Sequence, residues 1–411
     1  MRNNAASGVS ATFPVICGVA AVISIGWCFD QLPDAPRTLA TPPPVEPATD
    51  LIAGRSLDEW RELMKSVPVD DPERSQFVPA LTQIVQSPQF PWFTRRQAAL
   101  TLGRWGSAAV DAVPFLEALI EESETHPEEA TTLWALKGLS LFGPYAASAG
   151  RTVATVVVDA NQPEAHRLAA MECLSQIGDA YPAGTAPLIQ IAQNSTENGV
   201  LQRGAVEALG LFRGGASIAI PALLRCLDDP DDDIRREAAA SLGRQGPAAE
   251  IAQPALLDLL TGDADPGVRD AAGVALAQTG PAVLPSVITL LHVDDAELRL
   301  RAARIVGQLG RRATSAAPEL RPLWDDPDAA VRLAALESYW KTTGDGGTVA
   351  PRIAELLTSD ERNLRRQAYL LLNTLGAALR SADPVLQRQL DHPRAEVRSV
   401  ARKLLSLQSA R

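Results

Sequence analysis

The chain is poor in the residues on which reactive sites are usually built. Only four cysteines and four histidines occur in 411 residues. Cys17 and Cys28 fall in one apolar N-terminal stretch, which leaves Cys173 and Cys226 as the only thiols of the body. No pair has the spacing of a zinc site or of haem attachment. Both body cysteines sit inside apolar helical patterns, where a thiol acts as a small core residue. His126, His166, His292 and His392 lie on separate segments and do not readily converge on one ion, so each reads as a turn or surface residue. Basic charge is also short. With 38 Lys and Arg against 49 Asp and Glu the net charge is -11, which gives no global field to hold a polyanion and removes nucleic acid from the expected partners. There is no glycine loop of the kind that cradles phosphate and no nucleophile elbow. Sustained strand alternation is missing too. Val153 to Val158 comes nearest, and its place in the repeat makes it a helix. These absences predict a chain that is not an enzyme, with no catalytic residues, no metal site and no cofactor.

What the chain does contain is one pattern, copied. Its clearest instance runs from Asp229 to Gly246, with Ile234 as position 0, Arg235 at 1, Ala238 at 4, Leu242 at 8 and Gly246 at 12. The same register starts at Thr94, Thr131, His166, Leu201, Val268, Leu298, Val331, Leu364 and Val397, at intervals of roughly 30 to 37 residues, the range of helical-repeat arrays. Position 4 is always alanine: Ala98, Ala135, Ala170, Ala205, Ala238, Ala272, Ala302, Ala335, Ala368 and Ala401. Position 8 is almost always leucine. Positions 0, 4 and 8 share one face of a helix, so each copy predicts a second helix with a large apolar residue above an obligatory small one. Position 1 is arginine except at Thr132 and Gln202.

Each unit also predicts a first helix, opening near Pro114, Pro221, Pro254, Pro318, Pro351 and Pro384, with Pro187 and Pro285 nearby. Short acidic turns such as Asp229-Pro230, Asp265-Pro266 and Asp326-Pro327 are expected to cap the second helices, with proline in the first turn. Gly106, Gly143, Gly178, Gly246, Gly280, Gly310 and Gly376 are expected to stop them in a left-handed conformation, with Gly214 and Gly344 one place late.

Ahead of the array, Ala11 to Phe29 is almost wholly apolar. As a helix it would be about 28 Å long, close to the roughly 30 Å of bilayer hydrocarbon. Arg2 favours a cytoplasmic start. The expected order is a short tail (1–10), a transmembrane anchor or signal segment (11–29), a Pro-rich linker (30–53) that cannot build a core, and a solenoid over 54–411. A cleaved signal peptide is the alternative to an uncleaved anchor. Trp60, on one face with Leu57, Leu63 and Met64 behind a Ser56 cap, is expected to cover the first repeat's open end.

The pattern Asp-Pro-x-x-x-Val/Ile-Arg-x-x-Ala-Ala-x-x-Leu-Gly-x-x-Gly, followed by Pro-Ala-Leu-x-x-Leu-Leu, resembles HEAT repeats of the short type first described in phycocyanobilin lyases. The resemblance spans about Trp60 to Leu407, and the Gly54 to Met64 opening resembles the segment before such arrays in membrane-attached bacterial proteins. It implies an all-α fold, an α-solenoid of about ten HEAT-like helical hairpins, here with an N-terminal transmembrane helix. It implies further that second helices line the concave side and that position-1 arginines pair with turn aspartates in a ladder: Arg235, Arg269, Arg299, Arg332, Arg365 and Arg398 with Asp232, Asp265, Asp295, Asp328 and Asp360. Thr132 and Gln202 interrupt that ladder. The His-Glu pairs of metal-dependent HEAT-like hydroxylases are absent.

Two acidic clusters bear on ion binding. Asp228, Asp229, Asp231, Asp232 and Asp233 read as a helix cap, with a calcium site as the alternative. Glu121, Glu122, Glu124, Glu128 and Glu129 read as a solvated connector. The functional expectation is a non-catalytic protein-binding scaffold on the extracytoplasmic side of the cytoplasmic membrane, single-pass, with a bilin-lyase-like enzyme or a calcium-dependent surface module as alternatives. Positions 2, 3 and 6 of the second helices are expected to turn away from the 0-4-8 face. The candidate binding residues there are Arg96, Lys137, Arg203, Arg236, Arg301, Arg304 and Arg366, interrupted by Glu172, Glu207, Asp270 and Glu337. A mainly acidic protein segment fits such a stripe.

Overall fold

The computed structural model describes residues 51–122, 131–212 and 215–409. The segment 11–29, the linker up to residue 50, and Arg2, Cys17, Cys28, Glu124, His126, Glu128, Glu129 and Gly214 lie outside them. From Ile52 onward the chain forms one compact unit.

That unit opens with α1 (Leu57–Ser66), and ten helical hairpins follow. They are α2 (Val78–Gln86) with α3 (Trp92–Trp105), α4 (Val113–Glu122) with α5 (Thr131–Phe142), α6 (Gly150–Val158) with α7 (Glu164–Ile177), and α8 (Thr185–Ala192) with α9 (Gly199–Leu209). Next come α10 (Ala216–Cys226) with α11 (Asp232–Gln245), α12 (Gln253–Gly262) with α13 (Pro266–Thr279), and α14 (Leu284–Leu290) with α15 (Ala296–Leu309). The last are α16 (Ala317–Leu320) with α17 (Ala329–Thr343), α18 (Gly346–Glu355) with α19 (Arg362–Thr374), and α20 (Asp383–Gln389) with α21 (Ala395–Ser409). The odd-numbered helices from α3 on are the second helices of the repeats, and each packs beside the next.

The register explains that packing. All ten position-4 alanines are fully buried, and position 8 is buried in every copy except the half-buried Leu405 of α21. At α1, Ser56 accepts from the Glu59 N–H while the Glu59 carboxylate takes the Ser56 N–H at 2.7 Å, a reciprocal cap. Trp60 is buried edge-on against Phe77, with its indole N–H donating to the Ile52 carbonyl at 2.9 Å. It closes the first repeat, as its pattern predicts.

Three local expectations are corrected. Asp265 does cap a helix that starts on proline, but α11 and α17 are capped by Asp231 and Asp328, two residues beyond the Asp-Pro aspartates. Asp229 and Asp326 instead accept from the N–H two residues on, at 2.9 and 2.8 Å, and so shape the turn ahead of the cap. Pro221 and Pro351 lie inside α10 and α18 rather than at their starts, because those helices begin one turn earlier. The stop glycines among the described residues have positive φ; Gly344 is left-handed helical, at φ 79 and ψ -1. Gly106, Gly178, Gly246 and Gly310 pair φ of 53 to 61 with ψ of -121 to -139, a region that a Cβ disfavours.

The seam between second helices follows a rule of size. Position 9 of one helix meets position 7 of the next, and both are small: Gly103 faces Gly138, Gly210 faces Ser241, Gly243 faces Ala275 and Gly307 faces Ser338. A Cβ added at Gly307 would stand 2.5 Å from the Ser338 hydroxyl. Ser241 and Ser338 use this closeness to donate to the Val206 and Ala303 carbonyls at 2.9 and 2.6 Å. The rule fails where α13 meets α15, with Ala277 opposite Ile305, and at the last two joints, where the matching positions hold Trp340 with Leu371 and Asn373 with Leu404. At the α17–α19 joint the two helices pack less extensively than α15 and α17 do.

Candidate binding face

Each position-1 arginine folds back onto its own turn. From Arg235 on the guanidinium donates to the carbonyls five and six residues earlier: Arg235 to Asp229 and Pro230, Arg269 to Asp263 and Ala264, Arg299 to Val293 and Asp294, Arg332 to Asp326 and Pro327, Arg365 to Ser359 and Asp360, Arg398 to His392 and Pro393. Arg95 and Arg167 instead donate through Nε to the Val85 and Val157 carbonyls ten residues back. Where a carboxylate closes the ladder, it comes from the next repeat's turn. Arg167 pairs with Glu197 at 2.7 Å, Arg235 with Asp263 at 2.8 Å, Arg299 with Asp326 at 2.7 Å and Arg365 with Glu396 at 2.8 Å. The expected acceptors are therefore corrected. Asp265, Asp295 and Asp328 spend their side chains on helix caps, Asp232 pairs with Arg236, and Asp360 pairs with Arg394. The reason is geometric: a cap carboxylate must bend over its own helix N-terminus, while the residue before it projects toward the preceding repeat. Gln202 makes a single bond, to the Asn194 carbonyl, in place of the fork. The ladder is structural, and the Arg235 guanidinium beside Asp263 holds that carboxyl below its ordinary range.

The outward positions are fewer than expected. At 100° per residue, positions 2 and 6 fall opposite the 0-4-8 face, but position 3 falls on its flank, against the neighbouring second helix. Arg301, at position 3 of α15, is accordingly buried, clamped by Asp270 of α13 at 2.8 Å and by Glu297 at 2.6 Å. It does not point outward, and it leaves the candidate surface. Arg236 at position 2 is held by Asp232, Asp233 and Asp265. Arg203 is half-buried beside Glu207, and Lys137 is exposed near Glu172. Arg96, Arg304 and Arg366 stand exposed. Between them the outward row also carries large apolar side chains, with Val274 and Leu370 at position 6 showing 43% and 52% of their surface.

The acidic residues on the row differ in kind. Burial pushes the Glu172 and Glu207 carboxyls up, with Glu207 adding to the first and Glu237 to the second. Asp270 is spent on Arg301, and Glu337 pairs with Lys341 at 2.6 Å.

Other candidate chemistry is absorbed by structure. Asp231 caps α11, while Asp232 and Asp233 bind Arg236, which accounts for most of that acidic cluster. Among the described residues no group of three or more His, Cys, Asp or Glu is placed to hold a metal ion. Burial lowers the His166 imidazole, His292 faces Glu319, and the His392 Nδ1 accepts from the Arg394 N–H. Cys173 and Cys226 are free and buried, and burial pushes the Cys226 thiol up to about 11.

One feature of the face escaped the sequence pattern. A cavity of about 570 Å³ opens between α19 and α21. Arg362, at the start of α19 where no earlier second helix carries a cation, is the sequence signal that could have marked it.

Comparison with known proteins agrees with this geometry. Residues 185–277 match the family model for HEAT repeats. Phycocyanobilin lyase subunit alpha from Nostoc sp. is 30% identical over 176 residues, which cover 43% of this chain and 54% of that protein. The chain thus spans about half the length of the curated relative it matches. Among solved structures, Kap95p with RanGDP superposes at a TM-score of 0.52 with 13% identity, over 86% of this chain and 56% of that one. Kap95 in complex with Nup1 gives 0.52 and 14%, over 86% and 53%. At such identities the likeness shows the fold alone: an all-helical HEAT-repeat solenoid.

Proposed function

We propose that this chain is a non-catalytic protein-binding scaffold whose row of second helices takes an extended, mainly acidic segment of a partner protein. The observation that carries this reading is the outward row itself. Positions 2 and 6 lie opposite the 0-4-8 face in ten consecutive repeats, and although some of them, such as Leu333, are buried, they present Arg96, Arg304 and Arg366 among exposed apolar side chains such as Val274 and Leu370. Charge of that kind steers an acidic segment and is weakened by salt. The buried, protonated thiols and the separately engaged histidines suit recognition better than group transfer. The apolar segment 11–29 and the single Arg2 ahead of it support a single-pass anchor in the cytoplasmic membrane with the solenoid on the extracytoplasmic side. Protease added to intact spheroplasts should digest the body and leave a short anchored fragment. Full protection of the body would reject that orientation. The binding role is tested by affinity capture from detergent-solubilised membranes at low and high salt. A partner retained at low salt and released by salt is expected.

The match to a phycocyanobilin lyase subunit favours one second reading, a bilin-handling protein. Mixing the purified chain with phycocyanobilin discriminates. A shifted bilin absorbance band supports the second reading, and an unchanged spectrum leaves the scaffold.

A further inference from the structure

From the groove between α19 and α21 we infer a specific docking point for an acidic peptide segment bearing one apolar side chain. The inference rests on the scaffold reading and names where the partner's charge is taken. Arg362, Arg365, Arg366 and Tyr369 line the groove from α19, and Ser399 and Val400 line it from α21. Three observations independent of the volume point to an anionic occupant. First, Arg362 stands at the first position of α19, where the helix dipole disfavours a cation. The corresponding positions of α11, α13, α15 and α17 are Asp232, Pro266, Ala296 and Ala329. A residue that breaks the rule its four predecessors keep, with no ion pair of its own, is explained by a ligand rather than by the fold. Second, the charge is unbalanced. Glu396, the acidic residue of the lining, is engaged by Arg365 at 2.8 Å, while Arg362 and Arg366 are exposed with no carboxylate in reach. Lys403 adds a further cation beside Tyr369, and the phenol is lowered chiefly by the bond to its ammonium. Third, the floor is apolar, with Leu357, Val397 and Val400 beside the Tyr369 ring, which suits one aliphatic side chain between carboxylates.

An arginine fork matches carboxylate geometry two bonds at a time, so Arg362 and Arg366, one turn apart, suit acidic residues of an extended strand.

The test uses the full chain and a fluorescein-labelled, acetylated pentapeptide, Glu-Glu-Leu-Glu-Glu, read by fluorescence anisotropy. The wild type should bind it, less tightly as salt rises, and should ignore Lys-Lys-Leu-Lys-Lys. Arg362→Glu with Arg366→Glu should weaken binding by about tenfold or more while leaving the melting temperature unchanged, because both side chains are exposed. Arg151→Glu with Arg312→Glu, two exposed arginines outside both the groove and the outward row, should leave peptide binding intact. Absence of wild-type binding, or equal affinity in the Arg362/Arg366 variant, overturns the docking point. So does a loss seen with Arg96→Glu and Arg304→Glu but not with the groove variant, which would move the acidic ligand upstream and leave the scaffold reading standing. Binding of phosphatidylglycerol vesicles, but not of the peptide, through Arg362 and Arg366 would also overturn it in favour of a lipid surface. Peptide binding at the groove without any partner captured from membranes would count against the scaffold reading alone.

Discussion

Removing the Asp326 carboxylate should open the array locally between α15 and α17. Asp326 receives the Arg299 guanidinium through Nε at 2.7 Å and Nη2 at 3.0 Å, and it also accepts the Asp328 N–H at 2.8 Å. Only 11% of the arginine side chain and 4% of the aspartate side chain are exposed. Asp326→Ala therefore leaves a buried cation with two unmade bonds, a change that typically costs about 3–5 kcal/mol. Arg299 keeps its two carbonyl partners, Val293 and Asp294, which places the expected loss near the lower end, about 3 kcal/mol. Arg332→Met makes the informative comparison, because that guanidinium bonds only the carbonyls of Asp326 and Pro327, and its loss should cost about 1–2 kcal/mol. Burial alone would raise the Asp326 carboxyl, but Arg299 holds it below its ordinary value. Its contribution is therefore present above the unfolded carboxylate pKa and disappears as pH falls through the lowered folded value. The assay is urea unfolding followed by far-UV circular dichroism, with hydrogen exchange to localise the opening, since long repeat arrays need not unfold in one step. Equal midpoints for Asp326→Ala and the exposed control Asp258→Ala, or no added exchange in α15 and α17, would refute the reasoning.

Other substitutions probe the register and the face. Ala238→Leu should overpack a fully buried site and cost about 1–3 kcal/mol, while Ala240→Leu, at outward position 6, should cost little; equal urea midpoints would contradict the assigned faces. Arg301→Glu should lower the melting temperature clearly, because it sets three carboxylates together around a buried position, whereas Arg304→Glu should leave it nearly unchanged. Glu207→Gln should raise the melting temperature at neutral pH and change little at pH 4. The sign follows from a folded pKa held above the unfolded one: that carboxyl favours the fold at low pH, and the benefit fades as pH rises through the folded value. A thermal scan showing no pH dependence of the Glu207→Gln effect would contradict it.

The fold was legible because its rule is local and repeated. Alanine at position 4 and leucine at position 8 can be read off any one copy, and their burial in the structure requires nothing beyond a 3.6-residue period. The site was legible in part. Arg96, Arg304 and Arg366 are exposed as expected, but Arg301 is not, because positions 2 and 3 differ by 100° and only one of them clears the adjacent helix. The acceptors of the arginine ladder were misplaced for a similar reason: aspartates two residues apart are near-equivalent in sequence, and only the turn decides which one caps and which one reaches back. The α19–α21 groove is lined by residues of two repeats, Arg362, Arg366 and Tyr369 of α19 with Ser399 and Val400 of α21, so no single repeat shows it.

The scaffold proposal is tested most directly by the association rate of the membrane-captured partner with the full chain, measured for the wild type and for Arg96→Glu with Arg304→Glu. Slower association in the variant is expected, with a flatter salt dependence and an unchanged melting temperature. An association rate and affinity that do not respond to the double reversal, in a variant that remains folded, would contradict binding through the outward row of second helices.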